Sequence, residues 1–253
     1  MTFFDWIERL LNEYWPMFLN GTKNTLIMAL TGTVIGFVIG LLIAIVRTIP
    51  VGENSPVWKK VLFKIVNFIL SAYVEIIRGT PMLVQALIVH YSVFVKMGIP
   101  SMLSAIIIIS FNTGAYMAEI VRGGIISIDK GQFEGAHAVG MSHFQTMFHV
   151  VLPQAVKNIM PSIGNEFVVN IKDSSVLSVI AITELMFIAK QAGGAYAKFV
   201  PAYVICAVIY FILTFTITRL LRLVEKKLSG SNSYTICGSQ SDPNAEIRIK
   251  EGQ

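Results

Sequence analysis

Three charged side chains, Glu166, Lys172 and Asp173, stand in a stretch, residues 156–190, that soon recovers into Val176-Leu177-Ser178-Val179-Ile180-Ala181-Ile182. A charge near the middle of a bilayer costs at least ~2.5–3.5 kcal/mol on insertion scales, so these groups must face protein or water and are functional candidates by default. With Asn165 and Asn170 they are suited to line an aqueous path and hold the charged groups of a passing solute. A second reading is a Lys172/Asp173 pair that neutralises itself and holds a bent helix, and the residues alone leave both open. Asn112, beside Thr113 and Gly114, is a candidate for the same path, although helix–helix hydrogen bonding explains a single membrane Asn nearly as well.

A second constellation lies in a short, more polar stretch between long apolar segments: Glu134-Gly135-Ala136, then Gly140, then Val150-Val151-Leu152-Pro153. Phe133, Ala136, Gly140, Phe144, Met147 and Phe148 recur at roughly helical spacing, with Glu134, His137, Ser142, His143 and Gln145 largely between them. The pattern is an amphipathic helix with a break, too polar to span a membrane. Gly140 removes a side chain where another backbone could approach, and Pro153 withholds a donor and restricts Leu152, so the helix is expected to end or kink there. Such a hairpin projects toward a partner or packs on its own bundle; the pattern favours neither. A third group, Glu75 with Arg78-Gly79-Thr80-Pro81, breaks a helix where Arg78 can stay among lipid headgroups or reach a partner's acidic groups. Glu75 is close enough to pair with Arg78 at i, i+3.

Other chemistry is not supported. His137, His143 and His149 recur every six residues, about 240° apart on a helix, and do not converge as metal ligands. The Gly-x4-Gly-Lys-Ser/Thr phosphate cradle is absent, and nothing arranges Ser, His and Asp as a triad. Cys206 in an apolar segment and Cys237 in a polar one make neither a disulfide framework nor a metal spacing.

The elements that position these groups are membrane helices. Of 253 residues 54% are apolar and 14% charged, and mean hydropathy is +0.66, a balance foreign to a soluble domain. Net charge is +5, but polytopic proteins gather Lys and Arg on one face, and no basic run interleaved with aromatics points to nucleic acid. Residues 25–46, 102–121 and 201–221 each satisfy the roughly 20 apolar residues a crossing needs. Residues 61–77 read as a lead-in to a span at 82–95, and 156–190 as the most polar span. Five crossings result. Arg47, Lys59, Lys60, Lys64, Arg122, Lys130, Arg219, Arg222, Lys226 and Lys227 all become cytoplasmic if the N-terminus lies outside and the C-terminus inside. The same choice puts residues 134–153 in the cytosol. Residues 1–20 read as an amphipathic segment along the membrane surface without a cleaved signal, 21–228 as the membrane domain, and 229–253 as a polar, disordered cytoplasmic tail with no essential role. Gly32, Gly36 and Gly40 stand four apart, a stripe for close helix contact unless it is mere tolerance of Gly in the membrane.

With those motifs in place, the spacing Glu134-Gly135-Ala136…Gly140…Leu152-Pro153 resembles the EAA loop, residues 131–154, by which ABC-importer permeases grip their ATPase. Gly135 stands where Ala is usual and His137 where Arg is more usual. Residues 73–85, 115–125, 131–134, 152–155 and 164–175 are similar in order to segments of the polar amino-acid uptake branch, so the likeness covers most of 20–222. The resemblance implies an all-α, type I ABC importer permease of a bacterial plasma membrane, multi-pass and not itself an enzyme. It implies coupling through Glu134, Gly135, Ala136, Gly140, Leu152 and Pro153, and a cytosol-side hinge at Glu75, Arg78, Gly79 and Pro81. No cofactor is expected in this chain, with ATP and Mg bound by a cytosolic ATPase dimer. The further partners implied are a second permease, the same or similar, an extracytoplasmic binding protein and an amino-acid substrate. The rival expectation is a gradient-driven carrier in which Glu166, Lys172 and Asp173 bind a proton or coupling ion.

Overall fold

The computed structural model describes residues 1–49 and 56–229, with side chains to residue 226. All regular structure among them is helical. Helix α1 runs Phe3–Thr48, α2 Val57–Gly79, α3 Met82–Val89, α4 Ser101–Ile126, α5 Lys130–Ala138, α6 His143–Thr146, α7 Leu152–Asp173, α8 Leu185–Ala195 and α9 Phe199–Ser229. Wider π turns at His90–Phe94 and Met147–Val151 extend α3 and join α6 to α7, and a 3₁₀ segment, Ser174–Ile180, follows α7. The expected tail lies outside the described residues from 230 on.

Helix α1 is continuous: from Phe3 it passes through Pro16 into the first long apolar run without a break, so residues 1–20 share one helix with that run. Thr2 caps it in a reciprocal box with Asp5, which satisfies orphan donors at the start. At 1.5 Å per residue its 46 residues reach roughly 70 Å, about twice a bilayer core. The early turns are held by protein, since Leu10 and Phe18 are fully buried against Leu185, Ile188, Ala189 and Ala202. Around them Glu13 accepts from Arg9 and from the Tyr196 hydroxyl.

The glycine stripe is a contact. A Cβ on Gly32 would lie 2.5 Å from Ile109 Cγ2, one on Gly36 2.7 Å from Thr113 Cβ, and one on Gly40 2.6 Å from the Ala118 nitrogen. Helices α1 and α4 therefore pack backbone to backbone, and α7 closes over both. Val121, Ile125, Met147, Val151, Leu152 and Ile159 bury the base of the 130–151 hairpin against this pair.

Among the described residues three helices are long and apolar enough to cross a membrane, α1, α4 and Phe199–Lys226 of α9; the stretch from His143 to Ile180 with α8, bent by 52°, makes up to four. The segment 82–95, expected as a span, is a helix from Met82 to Phe94, shorter than the roughly 20 residues a crossing needs. Pro81 and the preceding Gly79 detach it from α2.

Candidate coupling hairpin and polar path

Asp129 starts α5 by accepting from Gly131 N at 2.6 Å. The helix ends because Gly140 turns left-handed, at φ +83°. There Met141 N donates to Ala136 O and Gly140 N to His137 O, the two bonds that close a Schellman end. No atom of this chain lies within 4 Å of a Cβ on Gly140, so within the chain its requirement is one of backbone conformation. Ser142 and Gln145 then form a capping box that restarts the chain as α6.

Pro153 does not end the helix, the first of the two outcomes expected of it; the α-helical pattern is interrupted instead by the π turn Met147–Val151 directly before Leu152. Pro153 falls in the first turn of α7, where the π turn just ahead absorbs the misfit between its ring and the preceding carbonyls. Leu152 and Ala136 are buried, whereas Glu134, Gly135, His137, Val139 and Gly140 are exposed. The hairpin thus grips the bundle with one side and offers the other. Phe144 and Phe148 stand on that outer side with ring centroids 4.7 Å apart. His143 lies beside them, its pKa held below the ordinary value by burial and then by the charge of His137. No atom approaches a Cβ on Gly135, so the residue that departs from Ala has room for one.

At the second break, Thr80 is extended ahead of Pro81, as a residue before proline prefers. Gln85 repairs the interruption: its amide nitrogen donates to the carbonyls of Ile77 at 2.8 Å and Thr80 at 2.9 Å, and its oxygen accepts from Asn112 at 3.1 Å. Arg78 lies over the Tyr116 ring at 5.4 Å. No ion pair joins it to Glu75, the pairing their spacing permits.

The proposed path residues divide. Asn170 is buried, donating to Thr33 Oγ1 at 2.8 Å and accepting from Thr113 Oγ1 at 3.0 Å. Glu166 and Asn112 are also buried. Asn165 and Lys172 are exposed, and Asp173 is half-buried with no ion pair to Lys172.

With this geometry established, comparison with known proteins is decisive. Residues 58–230 match the family described as binding-protein-dependent transport system inner membrane component. The chain belongs to that family. The permease is 32% identical over 231 residues to the glutamine transport system permease protein GlnP of Escherichia coli (strain K12), covering 89% of this chain and 98% of that one. It is 32% identical over 220 residues to the arginine transport system permease protein ArtQ of Bacillus subtilis (strain 168), covering 86% and 94%. A solved structure of an amino acid ABC transporter with histidines matches with a TM-score of 0.74 at 36% identity, covering 86% of this chain and 96% of that one. The permease is accordingly a multi-pass membrane protein of the amino-acid ABC transport type.

Three groups in the permease have contacts that the residues alone do not assign. Gln85 and Glu119 belong to the family-like segments 73–85 and 115–125, and what they touch comes from the fold. Glu119 accepts from Arg47 of α1 at 2.5 Å and from Arg122 at 2.8 Å, tying the ends of α1 and α4. Glu184, fully buried, caps α8 by accepting from Met186 N at 2.8 Å and Phe187 N at 2.6 Å, and also accepts from the Tyr210 hydroxyl. Glutamate is not among the favoured capping residues, and Tyr210 lies 26 positions away. Only the fold brings them together.

Proposed function

We propose that the chain is the membrane-spanning subunit of an ATP-driven importer of polar amino acids, coupled to a separate ATPase through residues 131–154. The observation that carries this is the two-sided hairpin: Ala136 and Leu152 are buried in the bundle while Glu134, Gly135 and Gly140 are exposed on an outer face that also carries Phe144 and Phe148. A segment built only to pack on its own bundle would not present that face. Solute arrives from an extracytoplasmic binding protein, as the family description implies, and glutamine and arginine, which name the relatives, mark its class.

Five crossings accompany the proposal: α1, the broken α2–α3 pair, α4, the α7–α8 arm and α9. With the N-terminus outside, Arg47, Lys130 and Arg222 reach the cytosol with the hairpin, in keeping with the positive-inside bias. Two permeases, identical or similar, face each other above two ATPase subunits, which bind ATP and Mg. Closure of the ATPases draws the paired hairpins together, and because each is anchored through Val151 and Leu152, the motion passes into α4 and α7.

The test is reconstitution of the transporter carrying Glu134→Ala or Gly140→Val. Uptake and binding-protein-stimulated ATP hydrolysis should both fall while the permease still inserts. Undiminished stimulation, or uptake by the isolated chain under a proton or sodium gradient, refutes the coupling role.

A further inference from the structure

An open groove of about 360 Å³ separates α7 from α9. Val168 and Lys172 form one wall, and Phe211, Phe215, Arg219 and Arg222 belong to the other. The helices run antiparallel here at close range, since a Cβ on Gly164 would lie 3.1 Å from Leu221 Cδ1. Three cations thus line one cleft, and no carboxylate does. The salt bridges Arg9–Glu13, Arg47–Glu119 and Arg122–Glu119 involve none of them. Arg219 is held over the Phe215 ring at 5.0 Å, which keeps its guanidinium on the groove side.

Charge complementarity sets the sign of the occupant. Arg219 and Arg222 alone would be ordinary cytosol-end cations; Lys172 lies outside that group, in the last turn of α7, with the half-buried Asp173 next to it. From Phe211 to Arg222 the wall rises about 16 Å, roughly half the hydrocarbon core. A headgroup phosphate stays at the membrane surface and would meet only the Arg222 end. An anion that meets all three must travel.

We propose that this groove is an anion track in which Lys172, Arg219 and Arg222 successively receive the carboxylate of the transported solute on its way to the cytosol. This deepens the importer reading and rests on it, and it adds Arg219 and Arg222 to the substrate-handling residues. A cleft with three positive charges favours solutes whose side chains are neutral or acidic over those with basic side chains.

The test measures the groove without knowing the solute. In a chain with Cys206→Ala and Cys237→Ala, single cysteines replace Thr214 or Thr218, and the permease is assembled with its ATPase in phosphatidylcholine nanodiscs. An anionic methanethiosulfonate, the sulfonatoethyl reagent, should react roughly tenfold or more faster than the cationic trimethylammonioethyl reagent, after correction for their reactivity with a free thiol. Adding Arg219→Gln with Arg222→Gln should bring the ratio toward one. Sodium acetate, replacing chloride at constant ionic strength, should slow the anionic reagent; acetamide should not. Equal rates, or no reaction, overturn the track. Suppression by phosphatidylglycerol with no effect of acetate also overturns it, in favour of a lipid headgroup. None of these outcomes touches the coupling reading, which is scored by ATPase stimulation.

Discussion

Asn170 and Thr33, 137 positions apart, are joined by a 2.8 Å hydrogen bond from the Asn170 amide nitrogen to the Thr33 hydroxyl. Thr113 completes a three-helix clamp from the other side of the same amide. The Asn170 side chain is therefore committed to holding α1, α4 and α7 together. Its remaining N–H and lone pair are buried with it, so a solute reaches them only if the packing around Asn170 opens.

Asn170→Ala should destabilise the permease by about 1 kcal/mol, the scale of interhelical hydrogen bonds in membranes. Unfolding in mixed micelles checks this. A double-mutant cycle with Thr33→Val should show a coupling energy, and strict additivity would mean that the contact does not form.

Space at the glycines differs sharply. Gly36→Val should prevent close packing of α1 on α4, because even a Cβ would lie 2.7 Å from Thr113 Cβ, and overpacking typically costs about 1–3 kcal/mol. Gly135→Ala meets nothing within 4 Å and should stabilise α5 by about 0.5–1 kcal/mol. Thermal midpoints should move in opposite directions; a shared direction would contradict the packing described.

Backbone conformation makes a separate prediction at Gly140. An L-residue in the left-handed region costs about 1–2 kcal/mol, with Asn the best tolerated. Gly140→Asn should retain more binding-protein-stimulated ATP hydrolysis than Gly140→Val. Equal loss in both would point to a requirement for empty space.

His143 gives the hairpin a pH dependence. Its folded pKa lies below the ordinary 6.5, through burial and then the His137 charge. The unfolded segment therefore takes up its proton first as pH falls. The hairpin's stability should be intact above about pH 6.5 and fall as pH drops through the depressed value. Proteolytic nicking of residues 130–150, corrected for protease activity, should rise from pH 7 to pH 5. If His143→Gln leaves that rise unchanged, His143 is not its source.

What could be read from the residues were features with short-range causes. Gly140 and Ser142 punctuate the hairpin because each acts on backbone within a few positions, and apolar run length locates α1, α4 and α9 directly. The Gly32, Gly36 and Gly40 stripe marks one face by its period, and the approach of α4 makes that face a contact. Pro153 left open whether the helix ends or is only interrupted, because a proline in a first turn is tolerated and whether that turn continues an earlier helix depends on the π turn before it. The surface segment expected over residues 1–20 reads alike whether lipid or α8 covers its apolar face.

The sequence by itself determined that this is a polytopic helical membrane protein, where its hairpin turns, and which family its motifs resemble. Run length, helix caps and motif spacing are properties of the local chain. Only the tertiary structure decided that Asn170 is a clamp, that Glu184 pins α8 to Tyr210, and that Lys172 shares a groove with Arg219 and Arg222. Those pairings depend on the register between helices far apart in the chain, which is set by how their surfaces pack.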